Sequence, residues 1–223
     1  MLLDALGTLV AMEPPAPRLR SELERRAGIE VSPDAAERAF RAEIAFYLEH
    51  HLGGRDERSL EELRDRCADV IAAELRLPAL DRGTVRAAML ASLRFTARPG
   101  AAPALEALRA GGIGLVVASN WDCSLPRVLA EAGLGPLLDA VVSSAEVGAA
   151  KPAPAVFEAA IAAAGVGPGE ALHVGDSIAN DVEGARAAGI EAVLLARDAA
   201  ELRAGVATIG SLRELPSLVF RGR

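Results

Sequence analysis

From residue 103 onward, short apolar runs alternate with helix-length segments, and this alternation restricts the possible folds more than any other feature of the chain. Helical patterns at 103–110, 124–132, 155–164 and 179–188 lead into apolar runs at 113–118, 139–143, 171–174 and 191–196. Gly133, Gly165 and Gly189 stand just past three of those helices, where a left-handed C-terminal cap favours glycine. Apolar runs separated by helices predict strands covered on both faces, so the chain reads as α/β with a doubly wound parallel sheet.

The first strand comes much earlier. Leu2 and Leu3 lead to Asp4, and Gly7-Thr8 breaks the extended backbone behind it, which places Asp4 at the carboxyl end of a strand. That edge is where open α/β sheets bind ligands. Only three residues precede Asp4, fewer than the usual ~5–6 of a strand, so this strand is expected to be short.

Between Asp4 and residue 113 the pattern is purely helical. Residues 13–17 are proline-rich and read as a linker. A helix spans 18–27, and Ser32-Pro33 caps a longer one. Its apolar stripe is Phe40, Ile44, Tyr47, Leu48 and His51. Ser59-Leu60-Glu61-Glu62 has the form of a capping box for a third helix striped by Leu63, Cys67, Val70, Ile71 and Leu75, and a fourth covers 84–93. Four helices without a strand predict an inserted α-helical bundle. The expected division is an α/β core over 1–13 and 98–223, with a helical cap over 14–97 placed to act as a lid.

A net charge of −7 with only 3% aromatic residues argues against nucleic acid as a partner. No apolar run approaches the ~18 residues of a membrane span, and the start lacks a signal peptide's basic and apolar regions. The expected location is cytoplasmic, with no membrane partner. Cys67 and Cys123 lie in no CxxC or His-rich setting that would suggest zinc. Cys67 reads as a buried, inert thiol.

Of 24 basic residues, Lys151 is the single lysine. In an arginine-biased chain, that position reads as one that needs a compact ammonium. Three further groups end at the same sheet edge: Ser119-Asn120 after the 113–118 run, Lys151 before Pro152, and Gly175-Asp176-Ser177 with Asp181 close behind. Carboxylates gathered this closely call for a cation among them. Oxygen-only ligands favour Mg²⁺. A hard cation, a lysine and helix N-termini together suit a phosphoryl group on a small-molecule substrate.

These residues, in this order and spacing, resemble the haloacid dehalogenase superfamily of hydrolases with a helical cap after its first motif. The resemblance covers the whole chain, and its most specific part is Gly175-Asp176-Ser177-Ile178-Ala179-Asn180-Asp181 following Lys151-Pro152-Ala153-Pro154. It implies a sheet order 3-2-1-4-5 with Asp4 on the central strand. It also implies Asp4 as nucleophile, Ser119 and Lys151 as catalytic groups, and Thr8, Ser119, Asn120 and Lys151 as substrate contacts. The implied Mg²⁺ ligands are Asp4, the Leu6 backbone carbonyl and Asp176, with Asp181 as ligand or supporting group.

One departure bears on chemistry. Phosphatases of this family carry a second aspartate two residues after the nucleophile as acid and base; Leu6 stands there. Acid–base help is typically worth 10² to 10⁴ in rate, about 3–5 kcal/mol of barrier, so the chain is expected to be slow except on good leaving groups. Asp122, Glu146, Tyr47 and His50 are candidate replacements. Ala153 stands where relatives often have aspartate, a change of little consequence. Haloacid dehalogenases also lack an acid at the Leu6 position, but they lack the metal-binding aspartate that Asp176 supplies. A phosphatase-type hydrolase is therefore the preferred reading, with a dehalogenase-type hydrolase and a weakly catalytic phospho-ligand binder as alternatives. His173 reads as a satisfied core histidine. Trp121 reads equally as lid lining or packing, and Arg94, Arg98 and Arg127 as solvated.

Overall fold

The computed structural model describes residues 1–77, 79–196 and 205–220. In chain order the elements are β1 (Leu2–Leu3), β2 (Val10–Met12), α1 (Ala16–Ala27), α2 (Pro33–His50), α3 (Glu57–Glu74), α4 (Arg82–Ser92), β3 (Phe95–Ala97), α5 (Ala101–Ala110) and β4 (Val116–Ser119). These are followed by α6 (Leu125–Glu131), β5 (Ala140–Ser143), α7 (Ser144–Val147), α8 (Pro154–Ala164), β6 (Leu172–Gly175), α9 (Gly184–Ala187), β7 (Glu191–Leu195), β8 (Ala207–Ile209) and α10 (Leu215–Phe220). No helix among the described residues is long and apolar enough to cross a membrane.

The chain forms two compact units, Met1–Ala11 with Thr96–Arg223, and Met12–Phe95. The boundaries fall two residues earlier than proline content suggests, because the two crossings pair as β2 and β3. Both short strands escape a periodicity reading, since three residues carry too little pattern.

The α/β unit holds a six-stranded sheet of order β5-β4-β1-β6-β7-β8, parallel throughout. This is the expected 3-2-1-4-5 order with one more strand at the edge. β1 has only two residues, yet it is the central strand: Leu2 and Leu3 lie opposite Val116 and Val117 on one side and His173 and Val174 on the other. Both leucines are fully buried. A cluster of Leu2, Val116, Phe157, Ala160, Val182 and Leu194 covers one part of this sheet. The sheet order reverses beside β1, so the carboxyl ends of β1, β4 and β6 lie side by side at the switch point.

In the helical unit α1 packs on α4 and α2, and α3 packs on α2 and α4. Two local expectations need correction. The third helix begins at Glu57 rather than after Ser59: the Asp56 carboxylate accepts the Ser59 N–H at 2.8 Å, and Ser59 Oγ accepts the Asp56 N–H at 3.1 Å. The capping box is reciprocal but lies one frame upstream, as Asp-x-x-Ser. On α2 the buried residues are Ala36, Ala39, Phe40 and Glu43, whereas Leu48 is 57% exposed. Leu48 sits about 80° around the helix from Phe40 at 100° per residue, outside the buried face that Glu43 enters.

Glu43 is thus a carboxyl buried in the helical unit, bonded to the Cys67 side chain. Burial, which the Cys67 bond only partly opposes, raises its pKa above the ordinary glutamate value. The native state then holds this proton where the unfolded chain has released it, so stability falls as pH rises from the ordinary carboxylate range through the raised value. Glu43→Gln is expected to raise the melting temperature at pH 7, by ~2–4 °C per 1 kcal/mol recovered, with the gain shrinking towards pH 4. Thermal melts across that range check it; an equal effect at both ends would show that charge is not the cause.

Candidate functional site

Asp4 keeps its N–H in the sheet, donating to the Val174 carbonyl at 2.9 Å, while its side chain projects beyond the strand end. The chain then turns back on itself. The Ala5 carbonyl accepts the N–H groups of Leu9 at 2.8 Å and Val10 at 2.9 Å, and Gly7 takes a φ of 89°, a left-handed conformation that glycine adopts without Cβ strain. The Leu6 side chain is 43% exposed on this turn. Thr8 is fully buried, and no donor or acceptor among the described residues meets its Oγ1. The turn therefore presents Leu6 and holds Thr8 inside.

β4 brings Ser119, whose Oγ donates to Asp4 Oδ1 at 2.9 Å. Asn120, one residue on, bonds to the backbone of Lys151. Its amide donates to the Lys151 carbonyl at 3.0 Å, and its side-chain oxygen accepts the Lys151 N–H at 2.7 Å. This two-bond clamp fixes the backbone of Lys151 across 31 residues of sequence. Lys151 Nζ then donates to Asp4 Oδ1 at 2.7 Å and to Asp181 Oδ1 at 2.6 Å, and the residue is 4% exposed. Burial works against the ammonium, but Asp4 and Asp181 outweigh it and hold the Lys151 pKa above that of an ordinary lysine.

β6 delivers Asp176 just past its last residue, Gly175. A Cβ on Gly175 would overlap the Asp181 carboxylate, so this close approach depends on glycine. The expected helix at 179–188 begins instead as a π-helical turn, Ile178–Glu183, with Ser177 as its cap. Such turns are short and often mark functional sites; here it places Asp181 four residues after Ser177 and directly over the strand end. Asp181 Oδ2 accepts the Ser177 N–H at 2.9 Å. Its Oδ1 faces both Lys151 Nζ and His173 Nε2, the latter at 3.0 Å. Burial disfavours the carboxylate, but the His173 hydrogen bond and the Lys151 charge prevail and hold its pKa well below the usual range. A carboxylate only accepts, so His173 Nε2 carries the proton. Burial lowers the His173 pKa despite the Asp181 bond.

Asp4, Asp176 and Asp181 each offer an oxygen within 4.8 Å of the others. Three carboxylates face a single ammonium, and all the ligand atoms are hard oxygens, a donor set that suits Mg²⁺. The residues present therefore fit the cation that their chemistry implies.

The candidate acids and bases at this edge are already engaged. Asp122 Oδ1 accepts the Ser124 N–H at 2.7 Å, and Glu146 accepts the Ser143 hydroxyl at 2.6 Å as part of the α7 cap. On α2, His50 donates Nδ1–H to the Phe46 carbonyl at 2.8 Å and stacks on the Phe46 ring, while Tyr47 packs beside His51. Trp121 is buried, and Arg127 pairs with Glu131 in solvent. The link between His173 and Asp181 escaped the sequence reading. Its trace there is one polar residue inside an otherwise apolar strand, eight residues before an aspartate.

Comparison with known proteins places this arrangement. The phosphoserine phosphatase of Thermus thermophilus is 41% identical over 105 residues, which cover 47% of this chain and 42% of that protein. This chain thus spans less than half the length of that curated relative, and the same holds for the haloacid dehalogenase-like hydrolase domain-containing protein 3 of mouse, at 39%. The crystal structure of a haloacid dehalogenase-type phosphatase from Thermococcus onnurineus superposes with a TM-score of 0.66 at 28% identity, covering 98% of this chain and 96% of that one. The L-2-haloacid dehalogenase of Xanthobacter autotrophicus, at 23% identity and a TM-score of 0.70 over 98% and 97% of the two chains, shares the fold. The family model of the haloacid dehalogenase-like hydrolases matches residues 1–189, and the chain belongs to that family of hydrolases.

Proposed function

We propose that this hydrolase is a Mg²⁺-dependent phosphatase of small phosphorylated metabolites, working through an aspartyl-phosphate at Asp4. The observation that carries this reading is the surplus of negative charge: Asp4, Asp176 and Asp181 within 4.8 Å of one another, against the one ammonium of Lys151. A metal-free halide-releasing site would have no use for Asp176. Asp4, the Leu6 carbonyl and Asp176 would hold Mg²⁺, with Asp181 fixing the loop behind them. Bound there, the cation supplies charge neutralisation to the carboxylates and the phosphoryl oxygens.

Ser119 and Lys151 both donate to Asp4 Oδ1, which leaves Oδ2 as the attacking oxygen. Oδ2 forms a bond to phosphorus while the bond to the leaving oxygen breaks, and that oxygen departs with its electron pair. Lys151 balances the charge that accumulates on the transferred group. Water then attacks phosphorus, the bond from phosphorus to Asp4 Oδ2 breaks, and inorganic phosphate leaves with the water's oxygen while the water's proton passes to phosphate or solvent, which regenerates the carboxylate. Leu6 provides no proton for the first step and no base for the second, so leaving groups that depart as stable anions react first. The helical unit enters the chain between β1 and β4, the strands of Asp4 and Ser119, and in this proposal it selects the substrate and shields the site from water.

Release of phosphate from p-nitrophenyl phosphate is expected to require Mg²⁺, to stop with EDTA and to vanish in Asp4→Asn; metal-independent halide release from a 2-haloacid would instead assign the chain to dehalogenation. Binding of a phosphate mimic without turnover of any phosphate ester would reduce it to a phospho-ligand binder. Leu6→Asp should accelerate hydrolysis of alkyl phosphates by up to ~10²–10⁴ and that of acyl phosphates far less, and a flat response across a leaving-group series would remove the acid–base account of Leu6. For the lid, a phosphate mimic is expected to slow amide exchange within 14–97, and unchanged exchange there would count against it.

A further inference from the structure

His173 is a buried titratable side chain at this edge of the sheet to which the proposed chemistry gives no role. It is fully buried in β6, opposite Leu2 of β1 and Ala192 of β7, with the Phe157 ring edge-on at 5.2 Å and 90°. Every other neighbour named in this stretch of sheet is apolar, and a leucine would fill the position with no polar group to satisfy. The imidazole instead leaves Nδ1 without a partner among the described residues, a cost that packing does not explain. Its only polar contact among the described residues is Nε2 to Asp181 Oδ1, at 3.0 Å.

That oxygen also anchors Lys151 at 2.6 Å, while the other Asp181 oxygen holds the Ser177 N–H at 2.9 Å. Asp181 is therefore a junction. One side sets where the ammonium sits relative to Asp4; the other sets the loop that carries Asp176. Three donors from β6, the Lys151 segment and the loop define its plane completely.

We propose that His173 is a positioning residue: by donating Nε2–H to Asp181 Oδ1 it locks that carboxylate, and through it sets the geometry of Lys151 and Asp176 for cation and phosphoryl binding. The proposal rests on the phosphatase reading for the identity of the ligand but not for the hydrogen bond or its effect on Mg²⁺ affinity.

The test combines three measurements on the full chain. In ¹⁵N-histidine-labelled protein, the His173 ring should appear as the Nε2–H tautomer with a slowly exchanging proton; an Nδ1–H tautomer would overturn the proposal without any variant. His173→Leu removes the unpartnered Nδ1 together with a donor to a buried carboxylate, so it should still fold cooperatively but melt below the wild type. Its Mg²⁺ affinity by calorimetry should fall roughly 10- to 100-fold, as is usual when a partner behind a metal ligand is lost. His173→Gln, which can donate from its amide, should recover part of that affinity. Turnover of p-nitrophenyl phosphate should follow the same order, with the apparent requirement for Mg²⁺ rising more than KM for the ester. Unchanged Mg²⁺ affinity in a folded His173→Leu would overturn the positioning role, as would equal losses in the Leu and Gln variants. The affinity pattern without turnover in any variant, wild type included, would uphold it while removing the phosphatase reading.

Discussion

The arrangement turns on one ammonium shared by two carboxylates. Lys151 Nζ lies 2.7 Å from Asp4 and 2.6 Å from Asp181, almost without solvent. Taking three charges out of water is costly, and the attraction offsets that cost only where the remaining polar atoms are also satisfied. The surroundings provide this. Asn120 clamps the Lys151 backbone, Ser119 donates to Asp4, and Ser177 and His173 donate to Asp181. These donors come from the end of β4, from β6 and from the loop after β6, so the ion triad ties together segments that would otherwise be joined only by the sheet. Removing one partner would leave a buried charge without its counterpart, a change far more damaging than the loss of one surface ion pair.

The sheet makes that convergence possible through a strand of two residues. β1 could not persist alone, since it has no partner for its backbone groups except its neighbours. Held between β4 and β6, it places Asp4 between the carboxyl ends of both neighbours. The turn that follows begins at once, with three N–H groups converging on the Ala5 carbonyl.

Much of this was legible in the sequence, and the failures have physical causes. The alternation after residue 103 gave the sheet class, because both faces of a parallel sheet demand apolar runs, while the order of the first five strands came from the resemblance to the family. Asp4, Ser119, Lys151, Asp176 and Asp181 could be singled out because each follows a strand end or a turn signal. β2, β3 and β8 were not legible: each is three residues long, and pairing rather than pattern makes it a strand. The clamp that Asn120 makes on Lys151 was not legible, because an amide beside a site serves equally well to bind a ligand or to hold a backbone. The start of α3 shifted because Asp56 and Ser59 offer a reciprocal cap that competes with the Ser59–Glu62 spacing. Glu43 shows the limit of a purely apolar stripe, since it occupies a buried face that helical geometry would assign to a hydrocarbon.

Lys151 also determines how the protein meets reagents that attack amines. Ordinary proteins scatter lysines over their surface, so acylating compounds label them without regard to folding. This chain has a single ε-amino group, and folding hides it and keeps it protonated against two carboxylates. The native protein therefore has no reactive lysine, and acylation at Lys151 becomes a chemical record of molecules that have opened.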